Sequence, residues 1–356
     1  MQDYLIIGQG LAGSLLFHEL SKRGKNVKIL DQGLEGSASV TAAGLINPVT
    51  GRRYVKTWMI DELHPKAMEV YAALEALLNI PIYHPGNIVR SLINRRERED
   101  WLIRTGDPEY REFLLEDFDL GQYANHTVPL FSYGETQKAA QVDLPLLVKT
   151  FRDYLLKTDA LIAERFEPEA LEFAQDHIRY RNLKARQIVF CEGFRGASNP
   201  WFSYLPFNNT KGEILLIRIP GVRFQKIFKH RIFLVPLQDD IYWVGSKYDW
   251  NFTDDQPHAE SKKYLLERLN DILTVPFEVV DHKAAIRPTV KDRRPFLGVH
   301  PKFPQLAIFN GLGTKGASLG PYFANEMADF LVSGKPISAE VSISRITTEQ
   351  LPPLQG

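Results

Sequence analysis

The hydrophobic pattern is most regular where the chain begins. Leu5, Ile6 and Ile7 form a continuous apolar run, the mark of a strand buried on both faces, and from Leu11 to Lys22 the apolar residues recur at helical spacing. Between the two stands Gly8-Gln9-Gly10-Leu11-Ala12-Gly13. A second apolar run, Val27-Lys28-Ile29-Leu30, ends at Asp31. Strand, glycine turn, helix, strand and acid in this order predict a dinucleotide-binding βαβ unit in preference to an ordinary glycine-rich turn. Gly8 permits the tight turn, Gly10 lets the backbone approach a pyrophosphate, and Gly13 lets helix and strand pack closely. The free N–H groups of the helix start attract the anion, and Asp31 is placed to accept from a ribose hydroxyl.

Further along, Gly33 to Gly51 is a stretch of small residues that can lie against a flat ligand. A helical pattern covers residues 61 to 80, and Pro81, Pro85 and Gly86 then signal a change of element. Alternating charges at residues 95 to 100 predict a solvated helix face. Asp143 and Pro145 open an amphipathic helix that runs to about Lys157. Short strands fill residues 160 to 190, the last of them ending at Cys191, which reads as an inert core thiol. From about 210 to 250 the pattern predicts an antiparallel sheet, followed by a helix from about His258 to Ile272. The last strand, Leu306 to Phe309, leads through Gly311-Leu312-Gly313-Thr314-Lys315-Gly316 into a helix from about Leu319 to Val332. This second strand-loop-helix can serve another electron-rich part of the same ligand.

At 356 residues the chain is long enough for two domains. Its 43 basic and 43 acidic residues cancel, so no global field draws it to nucleic acid, and no nucleic-acid partner is expected. The single cysteine excludes an internal disulfide and any cysteine-cluster metal site. With the first strand starting at about residue 3 there is no room for a leader, and no apolar run reaches the ~18 residues of a spanning helix. A cytoplasmic location is the expectation.

Six segments together resemble one family. They are the Gly8–Gly13 turn with Asp31, Ser39 to Pro48, Val189 to Gly193, Lys211-Gly212-Glu213, Ala285-Ile286-Arg287-Pro288 with Asp292, Pro295 and Gly298, and the Gly311–Gly316 loop. In that order they are similar to the FAD-dependent amine and amino-acid oxidoreductases, the superfamily of D-amino-acid oxidase, glycine oxidase and sarcosine oxidase. The resemblance implies an α/β fold, a doubly wound Rossmann-like FAD domain with an inserted mixed-sheet α+β substrate domain. The FAD domain is expected to be discontinuous, at 1–80, 140–205 and 285–345, with the substrate domain at 81–139 and 206–284.

By the same resemblance Gly8, Gly10, Ala12, Gly13, Asp31 and Gln32 hold the ADP half of a non-covalent FAD. Ser39, Thr41, Ala42, Ala43 and Gly44 lie along its pyrophosphate and ribityl chain, with Gly193 nearby. Gly313, Thr314, Lys315 and Gly316 face the pyrimidine end of the flavin. Arg287 matches the position that holds a substrate carboxylate, against the alternative of a structural salt bridge with Asp292. The implied chemistry is hydride transfer from the α-carbon of a small amine or amino acid to flavin N5, giving an imine, with oxygen or another acceptor taking the electrons. Glycine-oxidising relatives carry tyrosine at Phe233 and arginine at Thr314. Tyr242 or Tyr248 is the candidate for the missing hydroxyl, and Lys315 for the missing charge. Three alternatives stand beside this reading: an oxidase acting on carboxymethylaminomethyl-modified tRNA uridine, a flavin-binding protein without turnover, and a nicotinamide dehydrogenase.

Overall fold

The computed structural model describes residues 1–115 and 118–346. Five parallel strands, in the order Leu306–Asn310, Leu183–Phe190, Gln2–Ile7, Val27–Leu30 and Leu161–Ile162, form the centre of an eight-stranded sheet. Phe296–Val299 adds antiparallel to the Leu306 strand, and the hairpin Leu171–Phe173 with Ile178–Tyr180 lies antiparallel to the start of Leu183–Phe190. Side chains alternate between the two faces, as strand geometry requires. Tyr4, Ile6, Ile29, Val189 and Phe309 pack under the helices Leu11–Lys22, Ile60–Leu78, Leu144–Lys157 and Gly316–Ser333. Leu5, Ile7, Ile188 and Phe190 face the other way, into an aromatic layer that includes Phe202, Tyr204 and Phe296.

The second sheet has nine strands. Its main order is Glu278–Arg287, Thr210–Arg218, Ile241–Asp249, Ile232–Pro236, Ile227–His230, Tyr83–Leu92, Ser132–Val142 and Leu45–Ile46. All neighbours are antiparallel except Ile227–His230 beside Tyr83–Leu92. The helix Ala259–Asn270 covers the outer face through Leu265 and Leu269. The inner face, with Ile88, Ile214, Val235 and Trp243, looks towards the first sheet. Trp243 Nε1 donates to the Thr41 carbonyl at 2.8 Å and ties the second sheet to the 33–51 segment.

Two local features bear on the pattern reading. Pro81, Pro85 and Gly86 mark a change of element as expected, from helix to a ten-residue strand that runs from Tyr83 to Leu92. Pro85 and Gly86 pair in register with Ala140 and Ala139, and the shift between Gly86 and Ile88 sets Gln137 and Lys138 of the partner strand against Asn87 as a bulge. The last helix begins at Gly316, earlier than Leu319, so its first N–H groups belong to the glycine loop itself. Asp143 caps its helix as expected, Oδ1 accepting from Leu146 N at 3.0 Å. No helix among the described residues is long and apolar enough to cross a membrane.

Candidate active site

The two sheets enclose one cleft of about 1550 Å³. Small-ligand sites occupy roughly 300–1,000 Å³, so this cleft has room for a dinucleotide and a further small molecule. At one end the Gln2–Ile7 strand turns at Gly8, whose φ of +101° suits glycine. A Cβ there would stand 2.5 Å from the Cys191 carbonyl oxygen, and one at Gly13 would overlap the Gly8 carbonyl. Gly13 therefore packs behind the cleft, while Gly8, Gly10 and Ala12 line it. Leu11 N, at the helix start, donates to Ser39 Oγ at 3.0 Å, which brings the 33–51 segment against the turn.

Asp31 accepts from Gln9 N at 2.9 Å, from Gly33 N at 2.8 Å and from Arg152 Nη1 at 2.6 Å. Arg152, on the Leu144–Lys157 helix, is a partner of Asp31 that the sequence reading misses. Nothing in its local pattern marks it, because its partner lies 121 residues away. Gln32, Ser39, Thr41, Ala42, Ala43, Gly44 and Gly193 continue the wall. Glu192 lines it too, its carboxyl pushed up to about 7 by burial although Asn199 Nδ2 donates to it at 2.7 Å. It also goes unmarked in the sequence. Buried oxygens of Ser37 and Asn209 along the same wall have no partner among the described residues. The Ser37 hydroxyl can donate or accept and the Asn209 Oδ1 can accept, so a cofactor with polar groups along its length would satisfy both, and the lining fits FAD.

Gly313, Thr314, Lys315 and Gly316 close the other side. Lys315 Nζ donates to Thr57 Oγ1 at 3.2 Å, and burial, with Arg293 and Arg294 nearby, lowers its pKa to about 8. Beyond this loop the inner face of the second sheet forms the wall. Arg287, at the end of the Glu278–Arg287 strand, lays its guanidinium over Gly212, where any Cβ would overlap it. Its Nη2 donates to Ser246 Oγ at 2.9 Å and the Tyr248 ring lies 4.5 Å away. Among the described residues Nη1 is buried without a partner. Asp292 does not supply one, since it pairs with Arg345 at 3.0 Å. Among the described residues Arg287 meets no carboxylate, and burial lowers its pKa.

Tyr242 is the one candidate that the structure takes away from this wall. Strand alternation points it to the outer face, where its hydroxyl donates to Val222 O at 2.6 Å and accepts from Phe224 N. Tyr248 lines the cleft instead. The register shift opposite Glu213 and Ile214 makes Ser246 an extra residue, so that Ser246 and Tyr248 both face inwards. Phe233 lines the cleft, under Lys229. No metal-binding cluster occurs among the described residues.

Residues 3–330 match the family model described as FAD dependent oxidoreductase. The chain is 23% identical over 358 residues to glycine oxidase of Bacillus licheniformis, covering 95% of each. It is 24% identical over 371 residues to the bifunctional protein ThiO/ThiG of Nostoc sp., of which it spans 55%. Among solved structures, glycine oxidase from Bacillus cereus superposes with a TM-score of 0.79 at 23% identity, over 94% of this chain and 96% of that one.

Proposed function

The chain belongs to the family of FAD-dependent oxidoreductases, and from that premise we propose that it oxidises the C–N bond of a small amino acid or secondary amine held through its carboxylate by Arg287. The observation that carries this reading is the unpaired guanidinium. A buried cation without an anion is costly, and a planar fork with a free Nη1 in a cleft suits a carboxylate. Ser246 and Tyr248 fix the fork, and Gly212 beneath it keeps its place open. Held there, the substrate presents its α-carbon to the cofactor at a fixed distance and angle. Phe233 and Trp243 line the wall beside it with apolar surface.

Bound FAD supplies the two-electron acceptor. The protein's part is binding, orientation and charge, and the amine reacts in its neutral form without a side-chain base. At the pyrimidine end Lys315, when protonated, favours the negative charge that develops on reduction. We read the eight-stranded sheet as the cofactor unit and the nine-stranded sheet as the substrate unit.

The test is an anaerobic absorbance spectrum of the FAD-loaded protein with glycine, sarcosine, proline and D-amino acids. Bleaching by one of them is expected, with Arg287→Ala retaining its flavin but needing about 100-fold more substrate. A yellow colour that persists with every compound overturns the reading.

A further inference from the structure

The cleft wall carries a second group of cations, on the far side of Phe233 from Arg287. Arg90 stands directly opposite Lys229, Lys229 opposite Phe233, Phe233 opposite Gly245, and Gly245 opposite Ile214. Direct cross-strand partners share a face, and Arg90, Lys229, Phe233 and Ile214 all line the cleft. Like charges directly opposite one another destabilise a sheet, so this pair opposes folding unless something neutralises it.

Among the described residues no carboxylate lies within ion-pair distance of either cation. Lys229 Nζ donates only to the Arg231 carbonyl, at 2.7 Å, and sits 4.1 Å from the centre of the Phe233 ring. Arg90 lies 4.7 Å from the Tyr54 ring and pairs with no carboxylate. Arg231 adds an exposed third cation on the hairpin turn. The acid that acts on Arg90 is Glu97, which lines the same cleft. It forms no ion pair with Arg90 and accepts from Ile93 N at 3.1 Å. Burial and the neighbouring Arg90 lower the Lys229 amine to about 8.

The spacing to Arg287 limits what bridges the two groups. The Arg287 guanidinium lies over Gly212, and Lys229 Nζ over Phe233. Those residues are two strands apart and two residues out of row, a diagonal of roughly 12 Å. A carboxylate bonded to a cation takes up about 4 Å at each end, from its carbon to the charged group. That leaves roughly 4–5 Å between two carboxylate carbons, the reach of three or four single bonds.

We propose that the substrate of this site is a dicarboxylic amine, its first carboxylate on Arg287 and its second on Lys229 with Arg90 behind it. This rests on the amine-oxidising reading above and adds the second anionic group to it. Glutamate is the matched probe, because glutamine has the same shape without the second charge.

The experiment titrates each hand of glutamate and of glutamine into the FAD-loaded protein without oxygen and reads the flavin spectrum. One hand of glutamate is expected to bind at least tenfold more tightly than the same hand of glutamine. Lys229→Met brings that ratio to within twofold of one, and Lys229→Arg keeps it above fivefold. The flavin spectrum and melting temperature of each variant establish that it is folded. Equal binding of glutamate and glutamine, or a ratio that survives Lys229→Met, overturns the dicarboxylate proposal and leaves the amine reading standing if glycine or sarcosine still bleaches the flavin. If no amino acid perturbs the flavin at all, both fall together.

Discussion

Asp31 and Arg287 are the principal charges at the two ends of one cleft, and they are treated in opposite ways. Asp31 is held by two backbone N–H groups and by Arg152. Arg287 meets a serine hydroxyl and an aromatic face, and Lys229 and Arg90 meet no acid within ion-pair distance. At the first end the charge itself, the Asp31 carboxylate, is already satisfied by the fold. The second holds three cations with no ion-pair partner among the described residues, which the proposed anionic substrate would relieve. Substitutions at the two ends therefore differ in the sign of their effect on stability as well as in what they do to activity.

The largest effect is expected at Gly13. Its Cβ has no space against the Gly8 carbonyl, so Gly13→Val has to pry helix Leu11–Lys22 off the first strand. Overpacking of a closed backbone contact costs about 3 kcal/mol or more, and the protein is expected to purify nearly free of flavin with a much lower melting temperature. Flavin content above half the native value breaks the view that this turn is closed by packing. Arg287→Ala comes next. Its kcat/KM with the amine that bleaches the native flavin is expected to fall about 100- to 1,000-fold, with flavin content unchanged. Arg287→Lys recovers little of it, because the fork is lost. A parallel loss of flavin places Arg287 in the fold and removes the contrast.

How much of this the sequence reveals follows the same division. The cofactor end is local: Gly8, Gly10, Gly13 and Asp31 fall within one βαβ unit, and the spacing carries the chemistry. The substrate end depends on which residues meet across strands. Arg90 and Lys229 are register partners 139 residues apart, and a one-residue shift of register sends a side chain to the opposite face. That is how Tyr242 and Tyr248, six residues apart on one strand, part company across the extra residue Ser246. Arg152 is invisible for the same reason, as its helix is marked by cap and periodicity and its partner is not.

Arg152 sharpens the comparison at the satisfied end. Its guanidinium and the Asp31 carboxylate are mostly shielded, at 17% and 12% side-chain exposure. Arg152→Met leaves Asp31 without its cation and is expected to weaken FAD binding about tenfold, roughly 1.4 kcal/mol, as read by flavin fluorescence. The bleaching rate of the fully loaded variant stays within twofold of native. A slower rate at full loading means that Arg152 acts beyond the cofactor's ribose end.

The smallest effect tests the other end, through stability alone. The Lys229 amine has a pKa of about 8 in the folded protein against 10.5 for the ordinary side chain. Between those values the unfolded chain holds a proton that the folded chain has released, so stability rises with pH across that window. Below about pH 8 the fold has to carry the charge, beside Arg90 and Arg231 and with Glu97 as the acid on that wall. Lys229→Met removes the charge from both states. After allowance for solvent reaching the part-buried amine, it is expected to stabilise the substrate-free protein at pH 7 by on the order of 1 kcal/mol, a gain that fades towards pH 10. Melting temperatures of the two proteins across that range measure it. A lower melting temperature for Lys229→Met at pH 7 makes Lys229 a structural residue like Arg152. A higher one shows that this end of the cleft is kept charged at the expense of the fold, which is what a site waiting for an anion requires.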